Sequence, residues 1–353
     1  MRRVNILTRY KFPIFVQHFD SENSERKTEF YENSLADIDW DCVVVFDGLK
    51  LPAQIRVKRG GLLFVAGEPP DAMYYTKQFL DQFDRTYCAH SSARRRIQNK
   101  SDQYFNNWHF GYEPNDKVFR YNFSYLRKLP PPPKNKNISV ITSNLSYMPN
   151  HIKRLHLIEA LRRKFAGQIE FFGRGHNFVQ YKEDAILPFR FHLCLENTIT
   201  PDLWTEKIAD PFLGYSVPVY SGSPNISEYF PPNSIIQINV DDIAGTLKII
   251  EDILKSPKAT YENMLPDVIM ARTKVLEDYN LTAHLAKFLD EIYVSTEISV
   301  SEERTILPNE NTKFFETNNL ALRAKRFAYR KYSLMRSHRN PVCPLQSNTT
   351  KAK

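Results

Sequence analysis

Two successive strand–helix alternations, separated by a run of prolines, predict a two-domain α/β protein built on parallel sheets. In the first alternation Val4–Thr8, Cys42–Phe46, Leu62–Val65 and Arg85–His90 are short apolar runs with polar or helical stretches between them. In the second, Ile138–Ile141, Ile169–Phe172, Phe189–Leu195, Ser216–Tyr220 and Ile235–Ile238 repeat the pattern. Pro130–Pro133 can continue neither a helix nor a central strand, so this stretch is extended and stiff, as a link between domains should be. The chain is therefore divided into 1–129, a linker at 130–137, a second domain at 138–298, and a polar and basic remainder at 299–353.

The helices that should cover these sheets follow from the spacing of apolar residues. Phe79, Leu80 and Phe83 predict one over 77–85, and Ile152, Leu155, Ile158, Leu161 and Phe165 predict another over 151–165. Further helices are expected at Asp242–Lys255 and His284–Val294. Ser299–Asn319 is polar and reads as a loose spacer. Beyond it, a helix over 320–336 would gather Leu320, Ala324, Phe327 and Leu334 on one side and Arg323, Arg326, Arg330 and Arg336 on the other. Such a basic amphipathic helix suits an anionic membrane surface; a helix packed back on the body is the alternative.

Composition narrows the class. The 353 residues carry 25% charged and 42% hydrophobic side chains, ordinary for a globular protein. No run approaches the roughly 18 to 20 apolar residues of a membrane span, and Met1–Tyr10 has no signal-peptide core. Cys42, Cys88, Cys194 and Cys343 show no metal-ligand spacing, which suits buried free thiols and a cytoplasmic compartment. The formal charge of +8 includes nine Lys/Arg and no acid between Leu320 and Lys353, leaving the rest at −1. Basicity confined to a tail, with no reading helix, argues against a nucleic-acid-binding protein.

The stretch Pro188–Gly222 is the most informative. A strand ends at Glu196-Asn197, a helix follows, and Ser216–Tyr220 is the next strand. Thr200-Pro201-Asp202 is a helix-start signal. Lys207 near that start opposes the helix dipole unless an anion sits there, and free helix N–H groups with an ammonium make a phosphate cradle. On residues alone, a surface turn with a Glu–Lys pair explains the corner equally well.

Phe191–Asn197 followed by Pro201–Gly222 resembles the donor-binding signature of the family 10 glycosyltransferases, the α-1,3/α-1,4-fucosyltransferases. In that family a strand ends in Glu-Asn-Ser/Thr, a Thr-Glu-Lys helix start follows, and then a Val-Pro-Val strand and a glycine. The resemblance implies the GT-B fold, two facing Rossmann-like domains, with GDP-L-fucose as co-substrate and no required metal or other cofactor. It assigns Arg154, after Ser143-Asn144, to the pyrophosphate, a sensible role for a bidentate and permanently charged guanidinium. Asn197, Thr205, Glu206 and Lys207 complete the donor corner, with Glu206 on the ribose. Phe172–His176 resembles a further donor motif, which makes Arg174 and His176 weaker candidates. At Leu203 the family usually has tyrosine; neighbouring Trp204 could replace part of that ring.

Glu68 follows the strand-like Leu62–Val65 on a turn beside Pro69 and Pro70. By itself it reads as a solvated loop glutamate, but the resemblance assigns an acidic residue here as general base. Asp37 and Asp39 form a DxD string far in sequence from the phosphate corner and read as a solvated turn. Together these features imply an inverting transferase of L-fucose to a hydroxyl of a Gal/GlcNAc-type glycan, on the α-1,3 pattern. A catalytically silent glycan-binding relative is the second expectation.

Overall fold

Alternating apolar residues make the first sheet buried on both faces. Val43, Val45, Leu62 and Phe64 point to a layer containing Phe79, Leu80 and Phe83. Cys42, Val44, Leu63 and Val65 point to the opposite layer with Val4 and Ile6, as the two-residue period of a strand requires. A computed structural model describes residues 1–19, 27–69, 73, 75–88, 100–101, 105–113, 115–146, 149–173, 176–295 and 300–309. The first sheet runs in the order Thr28–Glu32, Arg2–Thr8, Cys42–Phe46, Leu62–Val65, Arg85–Tyr87, Lys100–Ser101, and every pairing is parallel.

The second sheet runs Ile169–Phe172, Lys136–Ile141, Phe189–Leu195, Val217–Ser221, Ile236–Gln237, again all parallel. Its layers include the helix Pro149–Lys164 with buried Leu157, Ile158 and Leu161, and the helices Ile243–Lys255 and Pro257–Glu277. The residues just past the carboxyl ends of strands in both sheets, Tyr10, Gly67 and Glu68 from one and Glu196–Thr198 from the other, line a common cleft. Two parallel sheets facing one another across their strand ends is the expected GT-B arrangement, and it is where such folds place ligands.

Several elements differ from their sequence expectation. The helix expected over 77–85 closes after Lys77–Leu80, capped by Thr76, because Arg85–Tyr87 is drawn out as a strand beside Leu62–Val65. Residues 301–306 are not spacer. Ser301–Ile306 pairs antiparallel with Ala53–Lys58, and Ile306 is fully buried against Val57 and Leu62. The proline link is shorter than expected, since Lys136 already begins a strand.

The 129/130 division is also crossed in both directions. Trp108, Phe110, Phe123 and Leu126 pack into the second core. The helix Leu281–Ser295 returns to the first, burying Leu281, Leu285, Phe288 and Leu289 against Val4 and Ile6. Four such side chains, at about 1.5–3 kcal/mol each, make that return a stable seam. Cys42 and Cys194 are buried free thiols, and Cys88 is buried as well. Among the described residues no helix is long and apolar enough to cross a membrane. The segment 320–336, Cys343 and Arg174 lie outside the described residues.

Candidate active site

The Glu196–Lys207 corner is built outward from Glu196, which the strand Phe189–Leu195 delivers to the cleft with only 1% exposure. Its carboxylate accepts hydrogen bonds from the Thr205 amide and hydroxyl, each at 2.9 Å. Thr205 caps the helix Glu206–Leu213, its Oγ1 accepting from the Lys207 amide at 3.3 Å. The helix therefore starts at Glu206, later than Thr200-Pro201-Asp202 suggested. Asp202 instead adopts a left-handed turn conformation, φ 66°, and its carboxylate accepts from Asn225 Nδ2 and the Tyr229 hydroxyl.

Lys207 reaches back over the cap, its Nζ 3.4 Å from Glu196, 3.3 Å from Glu206 and 3.2 Å from Thr205 Oγ1. Burial works against the ammonium, but Glu206 and Glu196 outweigh it and hold its pKa above the ordinary lysine value. Burial likewise works against Glu206, yet Lys207, Lys182 and His109 hold that carboxyl well below the usual range. Glu196 goes the other way: its burial raises the carboxyl despite Lys207. Lys207 thus serves two carboxylates, and an incoming anion must share it with them.

Arg154 stands behind this corner. It is 8% exposed, and its guanidinium donates to Asn197 Oδ1 and, at 3.4 Å, to Thr142 Oγ1. One turn earlier, Asn150 Nδ2 donates to the Glu196 carbonyl at 2.6 Å, and His151 is lowered to about 4 by burial and then by Arg154. The first turns of the helix Pro149–Lys164 thereby clamp the Glu196-Asn197 step. Asn197, Thr205, Glu206 and Lys207 line the cleft, whereas Arg154 bears on it through Asn197. Ser143 is half-buried and Asn144 exposed, and neither is among the residues lining the cleft. His176 also lies off the cleft lining, its Nδ1 2.5 Å from Arg162 Nη2.

The opposite wall belongs to the first sheet. Glu68, half-buried, lines with Gly67, Pro69, Tyr10 and Phe46 the same cleft of about 220 Å³ as the Glu196–Lys207 corner. Gly67 is required there: a Cβ would fall 2.6 Å from the Phe46 ring and 3.2 Å from Asp47 Cβ. Leu203 enters the cleft lining and the first domain's core, while Trp204 turns away into a cluster with Phe230, Tyr279 and Tyr229. Trp204 therefore does not supply the missing ring at the cleft.

Sequence inspection passed over Asn106, Asn107 and His109, which also line the cleft. His109 is held from the other sheet's side, for Asp210 accepts from its amide at 3.0 Å and pairs with Lys182 at 2.5 Å. Nothing in their spacing signals this, because the contact joins residues 101 positions apart. Among the described residues no group of three or more His, Cys, Asp or Glu side chains could hold a metal ion. Asp37 and Asp39 pair with Arg56 at 3.3 and 3.0 Å on the surface.

Gly222 packs tightly behind the Glu196–Lys207 corner. A Cβ there would meet Tyr220 Oη at 2.1 Å and Glu196 Cγ at 2.6 Å. Gly222→Ala is expected to cost about 1–3 kcal/mol, the scale of overpacking, read as a lower denaturation midpoint. An unchanged midpoint would show that the corner can yield.

Residues 131–265 match the profile described as glycosyltransferase family 10 (fucosyltransferase), C-terminal. The α-(1,3)-fucosyltransferase FucT of Helicobacter pylori is 36% identical over 93 residues, covering 26% of this chain and 19% of that protein. A fucosyltransferase-like protein of Arabidopsis thaliana is 32% identical over 111 residues, covering 30% of this chain and 21% of its own. The chain thus spans about a fifth of the length of these curated relatives. A crystal structure of an α1,3-fucosyltransferase aligns over 75% of this chain and 80% of its own, with 18% identity and a TM-score of 0.45. The segment that builds the Glu196–Lys207 corner lies wholly within residues 131–265, the part of the chain that matches the glycosyltransferase family 10 profile.

Proposed function

We propose that this cleft transfers L-fucose from GDP-L-fucose to a hydroxyl of a Gal/GlcNAc-type glycan, in α-1,3 linkage and with inversion. One observation carries the proposal: Glu68 on one domain and the Thr205–Lys207 helix start on the other line a single cleft. The family 10 domain and the α-(1,3)-fucosyltransferase name of a relative support the donor and the linkage.

In this mechanism Glu68 takes the proton of the acceptor hydroxyl as that oxygen attacks the anomeric carbon opposite GDP. The C–O bond to GDP breaks with its electron pair on the pyrophosphate. Lys207, with Arg154 behind it, stabilises the charge that develops there. Glu206 holds ribose hydroxyls, and Asn197, oriented by Arg154, supports the donor loop. Ser143, Asn144 and His176, off the cleft lining, are second to these residues as donor contacts. With Lys207 at the leaving group and Arg154 behind Asn197 to offset its charge, activity should survive chelator.

The direct test is incubation with GDP-fucose and N-acetyllactosamine, reading GDP and fucosylated product. Product in α-1,3 linkage is expected. GDP binding without product would instead mean a catalytically silent relative.

The basic segment 320–336 extends the proposal to the cytoplasmic face of a membrane, each Lys or Arg near an anionic surface adding about 1 kcal/mol. Full-length protein should sediment with anionic liposomes at low salt and be released at high salt. A chain ending at Asn319 should stay in solution with its activity; equal binding by both would remove the tail as anchor.

A further inference from the structure

A line of aromatic rings leads out of the cleft on the Glu68 side. Tyr10 and Phe46, both cleft-lining, have ring centroids 6.5 Å apart. Phe12 follows at 6.4 Å from Tyr10, and Tyr112 stacks on Phe12 at 5.8 Å with an interplanar angle of 17°. Tyr112 in turn lies 6.0 Å from the cleft-lining His109 and 5.1 Å from Phe119. Tyr10, Phe12, Tyr112 and Phe119 are all half-buried, so each keeps part of its surface to solvent.

Two separate segments supply these rings, and both are fixed. The turn carrying Tyr10 and Phe12 is tied down where Glu32 accepts from the Ile14 and Phe15 amides at 2.7 and 3.1 Å. Tyr112 and Phe119 pair across the short hairpin Tyr112–Glu113/Val118–Phe119. The buried Glu113 accepts from the Asn115 amide at 3.1 Å and from Gln180 Nε2 at 3.2 Å. Pre-ordered rings bind a ligand without a further entropic cost of arranging them.

We infer that this aromatic rim is a subsite for the acceptor glycan, receiving sugar units beyond the one that carries the attacking hydroxyl. The inference rests on the transferase proposal above. Aromatic faces offer large apolar area with a polar edge, which suits the C–H faces of pyranose rings between their hydroxyls. The inner end of the rim chooses the occupant. Tyr10 and Phe46 line the cleft with Glu68, where the attacking hydroxyl must lie in the transferase proposal, and Tyr112 meets the cleft through His109, whose Nδ1 is 4.0 Å from Glu206. The enzyme should accordingly prefer an extended glycan to a disaccharide.

Transfer to N-acetyllactosamine and to its four-sugar dimer should be compared for the intact protein, Phe12→Ala and Tyr112→Ala. The intact protein should favour the tetrasaccharide in kcat/KM. Each alanine variant should reduce that preference by about tenfold, the scale of one or two aromatic contacts. Disaccharide transfer and GDP-dependent thermal stabilisation should stay within about twofold, and Phe12→Tyr and Tyr112→Phe should restore the preference. Equal use of both acceptors by the intact protein, or a preference that survives both alanines, overturns the subsite. So does a parallel fall in both acceptors together with GDP stabilisation. If the intact protein transfers to neither, the transferase proposal fails, and saturation-transfer NMR with the tetrasaccharide decides the rim separately. A signal lost in Phe12→Ala supports the subsite, and no signal overturns it.

Discussion

Glu68→Gln is expected to bind GDP as the unaltered protein does and to lose transfer by about 100-fold or more, the usual scale for a general base. The amide keeps the size and hydrogen-bonding reach of the carboxylate but cannot accept the acceptor's proton. Tyr10 is a second ionisable group on the same wall of the cleft. Burial, then Asp47, then Glu68 push its ionisation well above the ordinary tyrosine range, so it stays a neutral hydroxyl at working pH. Gly67, pressed against the Phe46 ring, fixes where Glu68 leaves the strand. Single-turnover transfer and GDP-dependent melting should be measured on one preparation. Near-normal transfer would place the base elsewhere. Loss of GDP stabilisation would make Glu68 a structural or donor-side residue.

Lys207→Ala should act on the other side of the cleft, weakening GDP binding and lowering turnover together. GDP at about 100 times its dissociation constant should stabilise the unaltered protein by roughly 2.7 kcal/mol, and the variant should lose much of this. The substitution also leaves Glu196 and Glu206 without the ammonium they share at 3.4 and 3.3 Å. Two carboxylates at a pyrophosphate site then repel the ligand as well as lacking its partner. Lys207→Arg should retain part of the effect. Arg154→Ala should be milder for the leaving group but should release Asn197, since the guanidinium reaches the cleft through that side chain. Unchanged GDP-dependent melting in both alanine variants would remove the phosphate site from this corner.

Local pattern was enough for the strands, while at the Glu196–Lys207 corner it left a surface turn and a phosphate cradle equally open. Cys42–Phe46, Leu62–Val65, Ile169–Phe172 and Phe189–Leu195 stand where their apolar runs end, because a buried parallel strand is apolar at every position and polar at its borders. The residues of the Glu196–Lys207 corner were legible together for a related reason: strand end, cap and helix start are neighbours in the chain, so they show as a short motif. Short range also explains the errors at its edge. Thr200-Pro201 is as good a helix start as Thr205, and only the bonds from Thr205 to Glu196 choose between them.

What the chain order could not convey is which residues return across it. Ser301–Ile306 is polar enough to read as spacer, yet the open edge of Ala53–Lys58 supplies its backbone partners and draws it into a sheet. The His109 wall is set by Asp210, the aromatic rim by two segments about a hundred residues apart in sequence, and the facing of Glu68 toward Lys207 by the meeting of two sheets. Composition and periodicity thus determined two parallel sheets. The cleft itself, and everything that must reach it from both sides, was decided by packing, because burial depends on surfaces that exist only once distant segments have come together.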